Sequence, residues 1–552
     1  MPSNMSPVSR ILKLVKLEKK EISAIYFYAI LNGLIQLSLP LGVQAIIGFI
    51  LGASMRASLV VLILLVVAGV LVAGIMQVNQ MKIIEKIRQK LFARYSFAFA
   101  EHLPKVDLNK NDHIYLPELI NRFFDIPLLQ KSLSKILLDI PTAFVQIILG
   151  LVLLCFYHPS FILFGLILVT LLWLILKYSG KLGLETSLEK STQKYKVAAW
   201  LEETARVIKT IKLTRDNELH LQKTDEHVTN YLIARTRHFK VLLFQFNVMV
   251  IFKTVITAAM LIVGTLLLVD QQINIGQFIA AEIIILLVLT SVEKLIMNMG
   301  SVYDTLTAVE KLANLTDTAI EPNGSVDMPV KNTGIKLELK DLSFNYSGKS
   351  NLFSNVSLQI NAGERICITG KDSSGKSTML RIMAGAFTGF TGNLLYDDLP
   401  FSNYNLASIR SNTGVLMNEQ DIFLGTLWEN ITLGKTNIQT DDVAALANKT
   451  GLNDFVNTLP NGYDTLLDST GKRLPRNVIN KILLVRALVS RPRLLLLEDP
   501  WGNGEASFRN KLTALLDETR NTTIVVFSND ETFAKTCDKV YEIMDGQLVI
   551  KK

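Results

Sequence analysis

The sequence predicts two joined folds: an all-α domain of six membrane-spanning helices, then an α/β domain built round a phosphate-binding loop. Three observations carry this. Hydrophobic residues make up 49% of the 552 positions, yet nearly all the long apolar runs lie before residue 300. The run Gly370-Lys371-Asp372-Ser373-Ser374-Gly375-Lys376-Ser377 fits the phosphate-loop pattern. Between these regions, Glu321-Pro322-Asn323-Gly324 followed by Pro329 has the composition of a linker. A chain of this length exceeds a single core. The expected boundaries are 1–317 for the membrane domain, 318–334 for the linker and 335–552 for the α/β domain.

In the first domain, stretches at 22–50, 58–78, 133–156, 160–177, 244–269 and 276–298 are long and apolar enough to cross a bilayer as helices. Pro40 predicts a kink in the first. Ahead of it, Arg10, Lys13, Lys16, Lys19 and Lys20 alternate with Ile and Leu and no cleavage site follows. This reads as a helix lying on the membrane surface rather than a signal peptide, an unstructured basic tail being the alternative. Segments 81–131 and 178–240 are long and rich in Lys and Arg, whereas Leu51–Ala57, His158–Pro159 and Asp270–Gly276 are short and hold only Arg56. Positive-inside logic places both long loops and both termini in the cytosol. Membrane-flanking cations account for the net charge of +8, so no nucleic-acid partner is called for. Lys253, Glu282 and Glu293 fall inside spans; they line a polar path, with Lys253 and Glu293 as a pair, or else form a helix-packing ion pair or snorkel near a span end. Cys155, Cys367 and Cys537 have no metal-site spacing and read as reduced packing residues.

In the second domain the apolar run Arg365–Thr369 reads as a buried strand and Thr378–Ala384 as a helix, the context the loop requires. Backbone N–H groups of such a loop point inward at phosphates, and the helix N-terminus adds positive partial charge. Lys376 would reach the phosphates and the Ser377 hydroxyl would ligate Mg2+. The loop implies a nucleoside triphosphate and is silent about its use.

Further helical pattern continues beyond the membrane in both long loops, as at Val197, Leu201, Thr204, Ile208 and Ile211. Six spans with long 2–3 and 4–5 connections, followed by a phosphate-loop domain, resemble the ATP-binding-cassette (ABC) exporters over almost the whole chain. The likeness is to half-transporters related to bacterial toxin and bacteriocin exporters, without a peptidase domain. Several landmarks fall in the family's order: Phe344-Asn345-Tyr346, the run Phe423–Ile431, Leu459–Thr465, Arg486-Ala487-Leu488, the strand Leu494–Leu497, Asp538 and Gly546. The resemblance implies an exporter-type membrane domain and a cassette that binds ATP with Mg2+. Tyr346 would stack on adenine, and Gly370, Lys371, Asp372, Ser373, Ser374, Gly375, Lys376, Ser377 and Thr378 would hold the phosphates. It also implies a second half-transporter as partner in a homo- or heterodimer, the inner (plasma) membrane as location, a transported substrate and a periplasmic adaptor if the cargo is secreted. Segments 107–116 and 200–206 would be coupling helices by that analogy; their residues alone read as solvated helix and loop.

The departures from the family pattern cluster on hydrolysis. The family's glutamine, an Mg2+ ligand, falls at Asn418, with Gln420 as an offset substitute. The signature LSGGQ becomes Leu474-Pro475-Arg476-Asn477-Val478. Pro475 offers neither hydroxyl nor N–H, whereas the Arg476 guanidinium could still meet a phosphate. The acidic pair reads Glu498-Asp499, so Glu498 takes the metal position and Asp499 the base position, one methylene short. Asn529 replaces the switch histidine and cannot carry a proton at neutral pH. The following loop is Gly502-Asn503-Gly504-Glu505. The expectation is an exporter subunit that binds ATP and hydrolyses it weakly or not at all. The alternative is a non-transporting regulatory or scaffold subunit with ATP as a structural ligand.

Overall fold

A computed structural model describes residues 5–51, 56–111, 115–214, 218–346, 351–418, 420–501, 506–519 and 521–551. The chain divides into two compact units, 1–104 with 114–318, and 105–113 with 319–552.

The regular structure of the first unit is helical among the described residues. Among the described residues, six helical segments are long and apolar enough to span a bilayer: Lys19–Ile50, Ala57–Lys105, Leu116–Tyr157, Phe161–Arg206, Leu219–Val269 and Ile275–Thr316. The 51-residue helix Leu219–Val269 rises ~75 Å, far beyond a hydrocarbon core of ~30 Å. The kink expected at Pro40 lies at Leu37, where one helix ends at Gln36 and the next starts at Ser38. It sits a turn early because Pro40 lacks the N–H that the Gln36 carbonyl would accept. The tight turn before the last span is set by Asn274 and Gln277, which form a reciprocal capping box.

Helices in this unit approach closely at small residues. A Cβ on Gly150 would meet Val288 at 2.5 Å, and one on Gly183 would meet the Tyr303 ring at 2.2 Å. Some buried polar groups are paired across helices: Ser291 Oγ donates to Gln146 Oε1 at 2.8 Å, and Thr186 Oγ1 lies 3.0 Å from His238 Nδ1. Lys253 Nζ donates to Glu293 Oε2 at 2.9 Å, so these two intramembrane charges form an ion pair. The basic N-terminal segment is a helix, Pro7–Leu17, capped by Ser6. Arg10 is drawn inward to Asp317 at 2.5 Å and Glu310 at 3.3 Å, while Val8 and Leu12 remain exposed.

The second unit holds a six-stranded sheet in the order Gln547–Ile550, Lys539–Met544, Arg365–Gly370, Thr523–Phe527, Leu494–Glu498 and Thr413–Leu416. All neighbours are parallel except the hairpin at the 547–550 edge. Both faces are covered, so the central strands are apolar without a break. Ile366, Ile368, Leu494, Leu496, Val525 and Phe527 enter one core, and Cys367, Leu495, Leu497, Ile524 and Val526 the other. Cys367 and Cys537 are buried in that second core. A four-stranded antiparallel sheet, Asn351–Ile360, Leu337–Asn345, Thr391–Tyr396 and Leu399–Pro400, adds a second layer.

Two segments differ from the sequence expectation. Residues 319–334, with linker composition, lie along this unit: Gly324 N–H donates to the Tyr404 carbonyl at 2.9 Å and Val326 N–H to Asn403 at 3.0 Å. The short stretch 105–113 also belongs to it, and Asp107, solvated on its residues alone and part of a cassette-docking coupling helix by the family analogy, is only 1% exposed. Its carboxylate caps the N–H groups of Asn109 and Lys110 at 3.1 and 3.3 Å and accepts from Thr388 Oγ1 at 3.4 Å. A short polar loop reads as solvated unless the surface that buries it is known. Residues 112–114 of the expected 107–116 segment lie outside the described residues.

Candidate functional site

The C-terminal ends of three adjacent parallel strands converge on the phosphate loop. Gly370 ends one strand, Glu498 the next but one, and Asn529 follows the strand between them. Open α/β sheets bind ligands at this edge. The loop turns sharply through Ser373 at φ 64° and Gly375 at φ 100°, and the helix Lys376–Met383 starts directly after. Alternation of this kind makes a concave nest of N–H groups. Gly375 is needed there twice over. Its φ lies in the left-handed region, and a Cβ would come within 2.6 Å of the Phe353 ring.

Lys376 Nζ lies over the loop, donating to the carbonyls of Gly370 at 2.6 Å and Lys371 at 2.9 Å. Ser377 Oγ donates to Glu498 Oε1, and the other oxygen of Glu498 accepts from Asn418 N–H at 2.9 Å. Glu498 closes a fully buried strand and is itself 9% exposed. Asn529 Oδ1 accepts from Gly370 N–H at 3.0 Å, which ties the switch position to the loop's first residue. Asp499 follows Glu498 at φ 37°, with its N–H donating to the Phe527 carbonyl at 3.0 Å. The structure therefore brings Gly370 to Ser377, Asn418, Glu498, Asp499 and Asn529 to one edge of the sheet.

A fit for triphosphate and cation rests on the donor set. Ser374 Oγ is buried in the loop with no hydrogen-bond partner among the described residues. Such an orphan in a nest beside an ammonium suits a phosphate oxygen. The Ser377 hydroxyl and Glu498 carboxylate meet directly, an oxygen pair suited to a hard cation such as Mg2+.

Tyr346 follows the strand Leu337–Asn345, its ring edge-on to Phe344 at 5.2 Å and to Phe387 at 6.0 Å. Its hydroxyl lies 2.8 Å from Thr378 Oγ1, so the aromatic loop is pinned to the first turn of the phosphate-loop helix. Sequence reasoning missed this link. Thr378 is buried, with its hydroxyl engaged by Tyr346. Gln420 is turned onto its own loop, where Oε1 accepts from Met417 N–H at 3.2 Å, which leaves Asn418 as the residue beside Glu498.

At the signature position the helix is Arg476–Leu488, capped by Pro475 with no side-chain hydrogen bond. Arg476 Nη2 donates to the Asn418 carbonyl at 2.5 Å, and Asn477 Oδ1 accepts from Val478 N–H at 2.9 Å. Burial lowers the pKa of Arg486, whose Nε donates to the Asn430 carbonyl at 2.6 Å. The run 423–431 also has a local purpose, since Thr426 and Glu429 form a capping box for the helix Leu427–Thr432. The loop Gly502–Glu505 lies outside the described residues.

Comparison with known proteins agrees with this architecture. Residues 22–292 match the model of the ABC transporter transmembrane region, and 353–502 that of the ABC transporter. The chain is 25% identical over 358 residues to the alpha-hemolysin translocation ATP-binding protein HlyB of Escherichia coli O157:H7, covering 63% of this chain and 49% of that protein. It is 27% identical over 303 residues to the cyclolysin secretion/processing ATP-binding protein CyaB of Bordetella pertussis, covering 54% and 42%. Against the multidrug resistance protein homolog 65 of Drosophila melanogaster, 28% identity extends over 43% of this chain and 19% of that protein. The chain thus spans half or less of these three relatives. Its fold superimposes on a bacterial Atm1-family ABC exporter with ATP bound at a TM-score of 0.85 and 16% identity, covering 97% of this chain and 95% of the other.

Proposed function

Since this chain belongs to the ABC transporters, with an exporter-type membrane domain and an ATP-binding cassette in one polypeptide, we propose that it is one half of a dimeric exporter that binds ATP and hydrolyses it slowly or not at all. One observation carries the reading. The groups that hold a nucleotide are assembled round Lys376 and the Ser377–Glu498 pair, while the base position beside them is the short Asp499.

Gly370 to Ser374 and Gly375 to Thr378 hold the phosphates through backbone N–H groups, the Ser374 hydroxyl and the Lys376 ammonium. Tyr346, half-buried beside the phosphate-loop helix, stacks on the adenine. Ser377, Asn418 and Glu498 would hold Mg2+, which when bound supplies charge neutralisation at the phosphates. Asp499 and Asn529 stand at the catalytic positions. Asp499 is too short for the usual water, and the Asn529 amide can accept or donate a hydrogen bond but cannot take up a proton. Arg476 is the weakest phosphate candidate, because its guanidinium is already engaged by the Asn418 carbonyl.

The Lys- and Arg-rich segments support a cytosolic cassette at the inner membrane. The partner is a second half-transporter, either another copy or a chain with an intact signature. The names of two relatives, with their reference to translocation and secretion, favour a peptide or protein cargo, for which a periplasmic adaptor would be the natural continuation. The test is Mg-ATP turnover by the purified chain in lipid, paired with ATP-dependent cargo movement into inverted vesicles. Robust turnover abolished by Lys376→Ala would overturn the slow-hydrolysis reading. ATP binding without any vectorial movement, alone or with a partner half-transporter, would favour a regulatory subunit.

A further inference from the structure

A line of hydrogen bonds runs through the cassette from the phosphate loop to the helix Arg476–Leu488. Ser377 Oγ donates to Glu498 Oε1; Glu498 Oε2 accepts from Asn418 N–H at 2.9 Å; the Asn418 carbonyl accepts from Arg476 Nη2 at 2.5 Å. Asn418 lies just beyond the strand Thr413–Leu416, so neither of its peptide groups is held by a sheet or helix. One side is held by Glu498, the other by Arg476. The far end of the line is rigid, because Ile479, Ile482 and Leu483 of the helix are buried in the same core as Leu495 and Leu497.

The placement of Arg476 is also electrostatically costly. A cation in the first turn of a helix faces the positive end of the helix dipole. Pro475 as N-cap supplies no side-chain acceptor to offset it. Arg476 is exposed, and the Asn418 carbonyl is the protein acceptor its guanidinium takes.

We propose that Arg476 is a positioning residue that acts within its own cassette, strapping the Asn418 peptide to the start of the helix so that the state of the Ser377–Glu498 pair is felt there. The proposal rests on the nucleotide site proposed above. A group that draws the Ser377 hydroxyl or the Glu498 carboxylate towards itself weakens the hold on Asn418 N–H. The peptide then moves on its remaining tether, and the helix start moves with it.

Hydrogen exchange of the full-length protein in lipid nanodiscs tests this, with and without ATP and Mg2+, for wild type, Arg476→Ala and Arg476→Lys. In the nucleotide-free protein, Arg476→Ala should raise exchange at 417–422 by about tenfold, and Arg476→Lys should restore part of the protection. With Mg-ATP, wild type should change at both 370–378 and 476–484, whereas Arg476→Ala should change at 370–378 alone. Unchanged exchange at 417–422 in nucleotide-free Arg476→Ala would overturn the strap. So would loss of the 370–378 response together with ATP affinity, which would make Arg476 a phosphate ligand. If wild type shows no response at 370–378, the nucleotide reading fails, and the nucleotide-free comparison still decides the strap.

Discussion

Replacing Asp499 by glutamate isolates the feature on which slow hydrolysis depends. Glutamate adds one C–C bond, ~1.5 Å of reach, from a backbone already placed at φ 37° and anchored to the Phe527 carbonyl at 3.0 Å. Misplacement of a reacting group by ~1 Å can cost about 10²-fold in rate. The substitution should therefore raise turnover by about 10²-fold, or about 2.7 kcal/mol of barrier. The opposing cost is conformational, since a non-glycine residue in the left-handed region is disfavoured by ~1 kcal/mol and aspartate tolerates it better than glutamate. A small fall in thermal stability is expected alongside the gain. The assay is phosphate release from the purified chain in nanodiscs, with Lys376→Ala in each background as the blank. Wild type should run below ~0.1 s⁻¹, two decades under a typical enzyme. If Asp499→Glu alone is silent, Pro475→Ser, Arg476→Gly and Asn477→Gly are added to rebuild the signature. A wild type that already turns over at ~10 s⁻¹, or a rebuilt chain that remains silent, refutes the reasoning.

Lys376→Ala should weaken ATP binding by at least tenfold, since charge-assisted hydrogen bonds contribute about 1.5–3 kcal/mol each; titration with a fluorescent ATP analogue reads this directly. Gly375→Ala should destabilise the cassette by about 2–4 kcal/mol through left-handed strain and the clash with Phe353, measured as a loss of denaturant midpoint. Arg493 Nη2 meets Asp397 Oδ2 at 2.8 Å, and both side chains are largely buried. Arg493→Ala should cost about 3 kcal/mol by removing the buried cation and leaving that carboxylate with the half-exposed Lys331 Nζ, at 3.4 Å, as its cationic partner. Burial pushes the Asp397 carboxyl up, but hydrogen bonds from Arg493 and Lys336 N–H more than reverse it, so its folded pKa lies below the ordinary value. Its stabilisation is then complete above the unfolded pKa of ~4 and fades as pH falls through the lower folded value. Unfolding curves of wild type and Arg493→Ala should converge over that acid range; a constant gap would contradict the assignment. Lys253→Ala and Glu293→Ala should be non-additive in thermal unfolding, with a coupling of at least ~0.5 kcal/mol. Additive effects would mean that the 2.9 Å pair contributes nothing.

Much was legible in the chain because its signals are local. Apolar runs of bilayer length mark the six spans, and helical spacing carries several of them on beyond the membrane, as the 47- and 51-residue helices bear out. A glycine motif between a buried strand and a helix marks the phosphate loop, because the backbone must turn through positive φ at Ser373 and Gly375 to pass from one to the other. The substitutions at 418, 475–477, 498–499 and 529 are also visible one residue at a time, from side-chain length and proton-carrying capacity alone.

What folding adds is juxtaposition between residues far apart in sequence, which no periodicity encodes. Ser377 and Glu498 are brought together because their strands lie one strand apart in a parallel sheet whose order differs from the chain order. Asp107 is buried because 105–113 folds with residues downstream of 318, so a polar loop acquires partners supplied some two hundred residues later. Tyr346 and Thr378, and Asn418 and Arg476, are likewise long-range pairs whose members the sequence marks one at a time as nucleotide-site residues without joining them. Composition and spacing specify which groups the chain carries; the sheet order and the two cores on its faces decide which of those groups can touch.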